Sequence, residues 1–390
     1  MGHFALRPDA WGRSGRSRAP RAAPGRRARR GAMAALAVCV IAGSAHGQDR
    51  PSTILHNENG LTLRWHLQAA IYAVSETNLF WDLAATTSPG SGFDPDTNWL
   101  ESYIKPGLSF EYQLDTGAMV YGKLSAVASY TWGTDAFDTG DTGATTLEEA
   151  YLAIRGDLGG GLSYDLSLGP RELTLGTGML IANGATSGFE RGALKLGPRK
   201  AWEMAAIGHL SYGNVTGTAF YLDPNELPST DGNNELAGVD LRYDDPRGGY
   251  LGATFVDVLK SNSSYPQAAP GGVGAPTVTP GAREGTRTLG IYGKTNPFEG
   301  ALENWAFTGE VALQRNDRID LEAWGGRVTA GYTFADLPPG RRASPWATRP
   351  FLATTRTRRS SKGSTRSITR AARAPGPRDR NPPRPSSIRT

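Results

Sequence analysis

Apolar and polar positions alternate along most of this chain. In LTLRWHLQA, Leu61, Leu63, Trp65, Leu67 and Ala69 form one row, and Thr62, Arg64, His66 and Gln68 form the other. A period of two is the mark of a strand, because successive side chains leave opposite faces. The pattern returns many times. Leu108, Phe110 and Tyr112 alternate with Ser109 and Glu111, and Leu124, Tyr130 and Trp132 with Lys123, Ser125 and Ser129. Leu162, Tyr164, Leu166 and Leu168 oppose Asp165, and Val239, Leu241 and Tyr243 oppose Asp240 and Arg242. Val311 and Leu313 oppose Glu310, and Val328, Ala330 and Tyr332 oppose Arg327. Many of these runs exceed the roughly five or six residues of an ordinary strand and match the ~9–11 tilted residues that cross a bilayer.

The connections are of two kinds. Asp115-Thr-Gly117, Gly159-Gly160-Gly161 and Asp245-Pro-Arg-Gly-Gly249 are tight, whereas 84–98, 133–146, 223–235 and 261–286 are long and rich in Gly, Ser, Pro, Asp and Asn. Short turns at one end and long loops at the other belong to an outer-membrane barrel, as do aromatics at strand ends such as Tyr130 and Trp132. The expected fold is therefore all-β, an antiparallel transmembrane β-barrel with roughly a dozen strands present. The alternative is a secreted soluble all-β binding or adhesion protein, since alternation also suits a sandwich.

The N-terminal region supports export. RRARRGAMAALAVCVIAGSAHGQ, residues 26–48, sets a basic cluster before a short apolar run and then Ala45-His46-Gly47, a small-x-small cleavage pattern. The apolar run is too short to span a membrane as a helix. Residues 1–47 read as an N-terminal extension and signal peptide, with the mature chain starting at Gln48 and the region before Arg26 long enough to suggest a start codon called too early. Residues 48–337 form the barrel, and 338–390 a basic tail rich in Arg, Pro, Ser and Thr.

Charge refines this division. The chain has a net charge of +5, yet both ends are strongly basic and the body between them is acidic. A nucleic-acid partner would need basic charge on a folded face, so none is expected. The one cysteine, Cys39, lies in the leader, which excludes a cysteine nucleophile, a cysteine zinc site and structural disulfides from the mature chain. His56, His66 and His209 lack metal-site spacing, and Gly-x-Ser-x-Gly is absent. Gly176-Thr-Gly178 sits in a strand-like run rather than at a strand-to-helix junction, so it is no phosphate loop. No catalytic residue, metal site or cofactor is expected.

The polar rows carry the candidate pore-lining residues. The cations are Arg64, Lys105, Lys123, Arg155, Arg242, Lys294 and Arg327; Glu111, Asp165, Asp240 and Glu310 are the carboxylates among them. Two readings stay open here: a partly basic lumen that attracts anions, or ladders of opposite charge that simply fill a polar interior.

Several segments resemble the alginate-export family of outer-membrane porins of Gram-negative bacteria. They are LSLGPRELTLGTGMLIANG (Leu166 to Gly184), NLFWDLA (Asn78 to Ala84), WLESYIKPGLSF (Trp99 to Phe110) and EEAYLAIRG (Glu148 to Gly156), and the resemblance covers roughly 55–337. Family members carry a Gly-Arg-Gln-type turn between two lumen-lining strands where this chain has Gly169-Pro170-Arg171-Glu172. The resemblance implies a monomeric barrel of about 18 strands in outer-membrane lipid, with an electropositive constriction that passes an anionic polysaccharide or a small anionic solute. It also implies that Arg155 and Arg171 are lumen arginines.

After Leu337 the alternation stops and arginine, proline, serine and threonine take over. That composition is what a GC-rich gene gives when read out of frame. In the minus-one frame, permissible codons over Ser344 to Thr357 read VSLGYATFSGDDPDT, a strand and an acidic loop. A frameshift near 338–343 is therefore expected, with a tail that lacks regular structure. Early stops in the minus-one frame of the gene would refute it.

Overall fold

The computed structural model describes residues 53–333, apart from Pro89 and 270–272, together with the backbone of 349–357. The chain divides into Met1–Cys39 and Val40–Thr390, and every described residue belongs to the second unit. The expected signal peptide and most of the basic tail thus lie outside the described residues.

The fold is an antiparallel meander, and the all-β antiparallel architecture expected from the alternation is the one observed. β1 (Ile54–Glu58), β2 (Leu61–Glu76), β3 (Thr97–Gln113), β4 (Met119–Thr134), β5 (Gly140–Gly159) and β6 (Leu162–Leu168) pair in sequence order. β7 (Met204–Tyr212), β8 (Val215–Asp223), β9 (Glu235–Asp244) and β10 (Tyr250–Lys260) continue the sheet. β11 (Tyr265–Gln267) and β12 (Thr277–Thr279) pair only with each other, inside the connection to β13 (Arg287–Lys294). β14 (Trp305–Asn316), β15 (Leu321–Tyr332) and β16 (Arg349–Thr357) complete it. Of residues 338–390 only 349–357 is described, as an edge strand paired with β15. Among the described residues no ladder joins β1 to β15 or β16, so the sheet keeps two edges.

Most connections alternate in length, with 135–139 and 317–320 short at the end that carries the long loops. Those at 59–60, 114–118, 160–161, 213–214 and 245–249 are tight, and those at 77–96, 169–203, 224–234 and 261–286 are long. Three depart from the expected loops. Residues 140–146, read as part of a loop, belong to β5, and 169–203 is a long segment where a tight turn was expected. The short-turn end also carries the longer connection 295–304. The β5 glycines misled because Gly143 is there for close approach: a Cβ at that position would lie 2.3 Å from the Ser129 carbonyl oxygen.

Burial is inverted relative to a water-soluble protein. Trp65, Leu108, Leu124, Leu152, Leu166, Val239, Leu251, Ile291 and Val311 are all exposed, and each stands in the outward row of its strand. The opposite row holds Lys105, Ser125, Asp240, Thr254 and Glu310, all buried. Leaving apolar area in water costs about 25 cal/mol per Å². A band carried by nearly every long strand therefore calls for an apolar surrounding, which a bilayer supplies. Aromatic pairs mark both ends of the band, with Tyr130 against Trp132 at 4.9 Å and Trp305 against Tyr332 at 5.1 Å between ring centroids.

Candidate functional site

The inner face is occupied by residues 169–203, between β6 and β7. The Gly169-Pro170-Arg171-Glu172 turn and the strand-like run through Gly176-Thr-Gly178 are both corrected here. Gly169 (φ 114) turns the chain inward, and its N–H donates to the Ala205 carbonyl at 2.9 Å. Gly176 and Gly178, at φ 60 and 74, make a tight turn instead of a strand. A Cβ on Gly176 would press the Tyr292 ring at 2.9 Å, so the turn sits directly against the far wall.

Two kinds of contact hold this segment. Against β7, β8 and β10 it is apolar: Leu173, Ile181 and Trp202 pack on Ala205, Ile207, Phe220, Leu222 and Val256. Toward β3–β5 it is polar. The Arg199 guanidinium, 1% exposed, donates to Thr146 Oγ1 at 2.7 Å, Ser129 Oγ at 2.8 Å and the Ala144 carbonyl at 2.9 Å. Burial without a carboxylate partner pushes its pKa down to about 10, and burial lowers that of Arg191 as well. Arg191 donates to the carbonyls of Thr186 and Asn225 at 3.0 Å and of Glu226 at 2.6 Å. Glu101 accepts the Lys195 and Leu196 N–H groups at 2.9 Å, and Glu148 accepts that of Lys200 at 2.8 Å.

At the opposite wall, Glu310 of β14 accepts from the Thr177 N–H at 2.9 Å and from its hydroxyl at 2.5 Å. Arg327 of β15 donates to Thr177 Oγ1 at 2.6 Å and to the Thr177 carbonyl. One segment thus meets the same face of β3 and of β15, strands far apart in the sheet order. The sheet curls around it, and the segment crosses the enclosed space.

The sequence-derived residues occupy this inner face in different ways. Arg64 pairs with Glu111 at 3.0 Å, and Arg155 reaches the same carboxylate at 3.7 Å. Lys105 is buried between Glu148 at 2.9 Å and Glu172 at 3.0 Å, and Lys123 pairs with Glu149. Asp165 accepts the Tyr121 hydroxyl at 2.6 Å, and Asp240 accepts those of Thr254 at 2.5 Å and Tyr292 at 2.9 Å. Arg242 pairs with Asp244 at 2.6 Å and lies over the Tyr250 ring. Lys294 stands exposed at the end of β13, opposite Tyr250 in the ladder.

Arg171 lies in the in-folded segment rather than on a strand. Its guanidinium is 4.6 Å from the Tyr151 ring centroid and 5.7 Å from that of Tyr121, and Arg155 is 5.2 Å from the same Tyr121 ring. Arg64, Arg155, Arg171, Glu111 and Asp165 therefore form one station on the β2–β6 wall, with three guanidinium groups to two carboxylates. Lys105, Lys123 and Arg242 each have a carboxylate partner, whereas Arg191 and Arg199 of the in-folded segment are held by carbonyl, amide and hydroxyl oxygens. Sequence reading missed Arg191, Lys195 and Arg199. Their signal is a run of 169–203 that carries cations without sustained alternation.

Among the described residues, no group of three or more His, Cys, Asp or Glu is arranged to hold a metal ion. None of the described helices is long and apolar enough to cross a membrane, which says nothing of strands. No family model matches the chain, and no curated protein matches it. Among solved structures it is similar to Salmonella typhi OmpF in complex with daunomycin, at 11% identity and a TM-score of 0.34, over 70% of this chain and 87% of that one. It is also similar to Pseudomonas aeruginosa OccK7 (OpdD), at 11% identity and a TM-score of 0.25, over 73% of this chain and 90% of that one. Likeness at such scores carries no weight for function.

Proposed function

We propose that this chain is a channel-forming β-barrel of the outer membrane of a Gram-negative bacterium. In this reading it works as a monomer of the alginate-export type and passes an anionic solute, whether a polysaccharide chain or a small anion. The inverted burial supports a membrane location over the secreted binding protein. The anionic preference rests on one observation: Arg64 and Arg155 share Glu111, while Arg155 and Arg171 share the Tyr121 ring. The station keeps cationic excess beside aromatic faces, which suits a carboxylate carried on a sugar ring.

Two measurements test the reading. Membrane fractionation with heat-modifiable gel migration separates a barrel from a soluble sandwich. In planar bilayers under a salt gradient, the reversal potential reports anion selectivity, and R155Q/R171Q shifts it toward neutral. A cation-selective wild type would sink the anionic reading, and a chain found only in the soluble fraction would sink the channel.

A further inference from the structure

The connection between β2 and β3 carries a second feature, distinct from the arginine station. Asn78, Phe80, Trp81 and Asp82 have φ of 58, 52, 57 and 54. L-residues avoid this region, bulky aromatics above all, and such strain persists where surrounding contacts impose it. Here the Asn78 N–H donates to Asp96 Oδ1 at 2.8 Å and the Leu79 N–H to the Pro95 carbonyl at 2.9 Å. The distorted backbone shapes an open cleft of about 450 Å³ lined by residues 75–81, within the ~300–1,000 Å³ typical of small-molecule sites.

The lining sets two aromatics, Phe80 and Trp81, beside the polar run Ser75 to Asn78. Trp81 is 79% exposed, so a large flat face stands in water. Glu76 gives one oxygen to Lys195 Nζ at 2.5 Å, while its Oε2 is buried without a partner. Such an unpaired acceptor is costly unless something donates to it. The cleft adjoins the lumen: Glu76 follows Val74 on the inner row of β2, and its partner Lys195 belongs to the in-folded segment. From Phe80 a file of rings leads the same way. Phe80 lies 5.8 Å from Phe137, and Phe137 lies 5.3 Å from Phe189 of that segment.

We propose that this cleft docks an uncharged sugar unit of a glycan at the mouth of the barrel. A pyranose offers what the lining lacks: hydroxyl donors for the side-chain acceptors of Glu76, Thr77 and Asn78 and an apolar C–H face for Trp81. Charge selects against an acidic sugar here. Lys195 is engaged by Glu76, and Asp82, Asp94 and Asp96 lie in the same connection, so a second carboxylate would be repelled. The mouth and the arginine station thus differ in the sugar chemistry they accept.

The test is calorimetric titration of the full chain in detergent micelles with maltohexaose, cellohexaose, mannohexaose and hexagalacturonate. At least one neutral hexasaccharide should bind. W81A should weaken that binding about tenfold, E76Q should weaken it too, and W305A, which removes an aromatic from the outer row, should leave it unchanged. The proposal falls if no neutral hexasaccharide binds, if W81A binds as wild type does, or if hexagalacturonate is the ligand that depends on Trp81. Conductance of the same preparation keeps the two readings apart. A conducting, anion-selective protein that binds no neutral sugar removes only this proposal, whereas sugar binding without conductance removes only the channel.

Discussion

The two halves of the inner wall differ in chemistry where the in-folded segment meets them. The β2–β6 half presents Arg64, Glu111, Tyr121, Lys123 and Arg155, charged or hydroxyl-bearing groups that water or a polar solute can meet. The β7–β10 half also holds polar groups such as Asp240 and Thr254, but it alone presents an apolar patch, Ile207, Phe220, Leu222 and Val256, buried under Leu173, Ile181 and Trp202. An apolar lumen wall left open to water would lose roughly 25 cal/mol for each exposed Å². The apolar patch of the β7–β10 half is therefore a dock for the in-folded segment. In the proposed channel, the β2–β6 half is the side open to a solute. Position within the barrel interior does not decide polarity; what covers the position does.

The dock can be broken most severely at Trp202. Its ring fills the apolar cluster and its Nε1–H donates to the Leu173 carbonyl at 3.3 Å. Trp202→Ala should cost about 3–5 kcal/mol, the usual range for a buried tryptophan, and should raise single-channel conductance as the segment leaves the wall. Urea titration in micelles and planar-bilayer recording check the two effects. An unchanged conductance would mean that the apolar patch does not position the segment, and the contrast between the halves would lose its meaning.

A smaller effect is expected at Arg199, which fastens the same segment to the polar half. Arg199→Met removes three donated hydrogen bonds and leaves the Ala144 carbonyl without that donor. The expected loss is about 1–3 kcal/mol, below that of Trp202→Ala, with a lesser rise in conductance. If the order of the two variants reversed, the segment would be held by its polar side, and the β7–β10 cluster would be ordinary filling.

Much of this was legible in the sequence, and the part that was not has a physical cause. Alternation over Leu61 to Ala69 separated the outward row from Arg64 and His66, because a strand buried on one face must repeat every two residues. The same rule failed at Glu172-Leu173-Thr174-Leu175. There the apolar residues alternate because Leu173 and Leu175 both pack against the dock, in a segment that forms no strand. Charge sorting had a similar limit. The sequence placed Lys105 and Arg155 on one kind of row, yet only the fold shows Lys105 enclosed by Glu148 and Glu172 while Arg155 shares its carboxylate with Arg64. The unpaired Glu76 oxygen depends on how a strained loop closes, and no period in the sequence encodes that.

The mildest variant probes the third anchor, at the far wall. Thr177→Val deletes the hydroxyl that donates to Glu310 and accepts from Arg327, but leaves the backbone N–H to Glu310 and the carbonyl to Arg327 in place. With half of the contacts kept, the loss should be about 0.5–1.5 kcal/mol, and mean conductance should barely move. Its signature should be kinetic: the turn at Gly176–Gly178 gains freedom to leave the Tyr292 ring, so the open-channel current should become noisier. A Thr177→Val current as quiet as wild type would mean that apolar docking alone fixes the segment. A conductance change as large as that of Trp202→Ala would instead make β14–β15 the principal anchor. The dividing line in this molecule would then run between the near and far walls, and no longer between a polar half and one with an apolar patch.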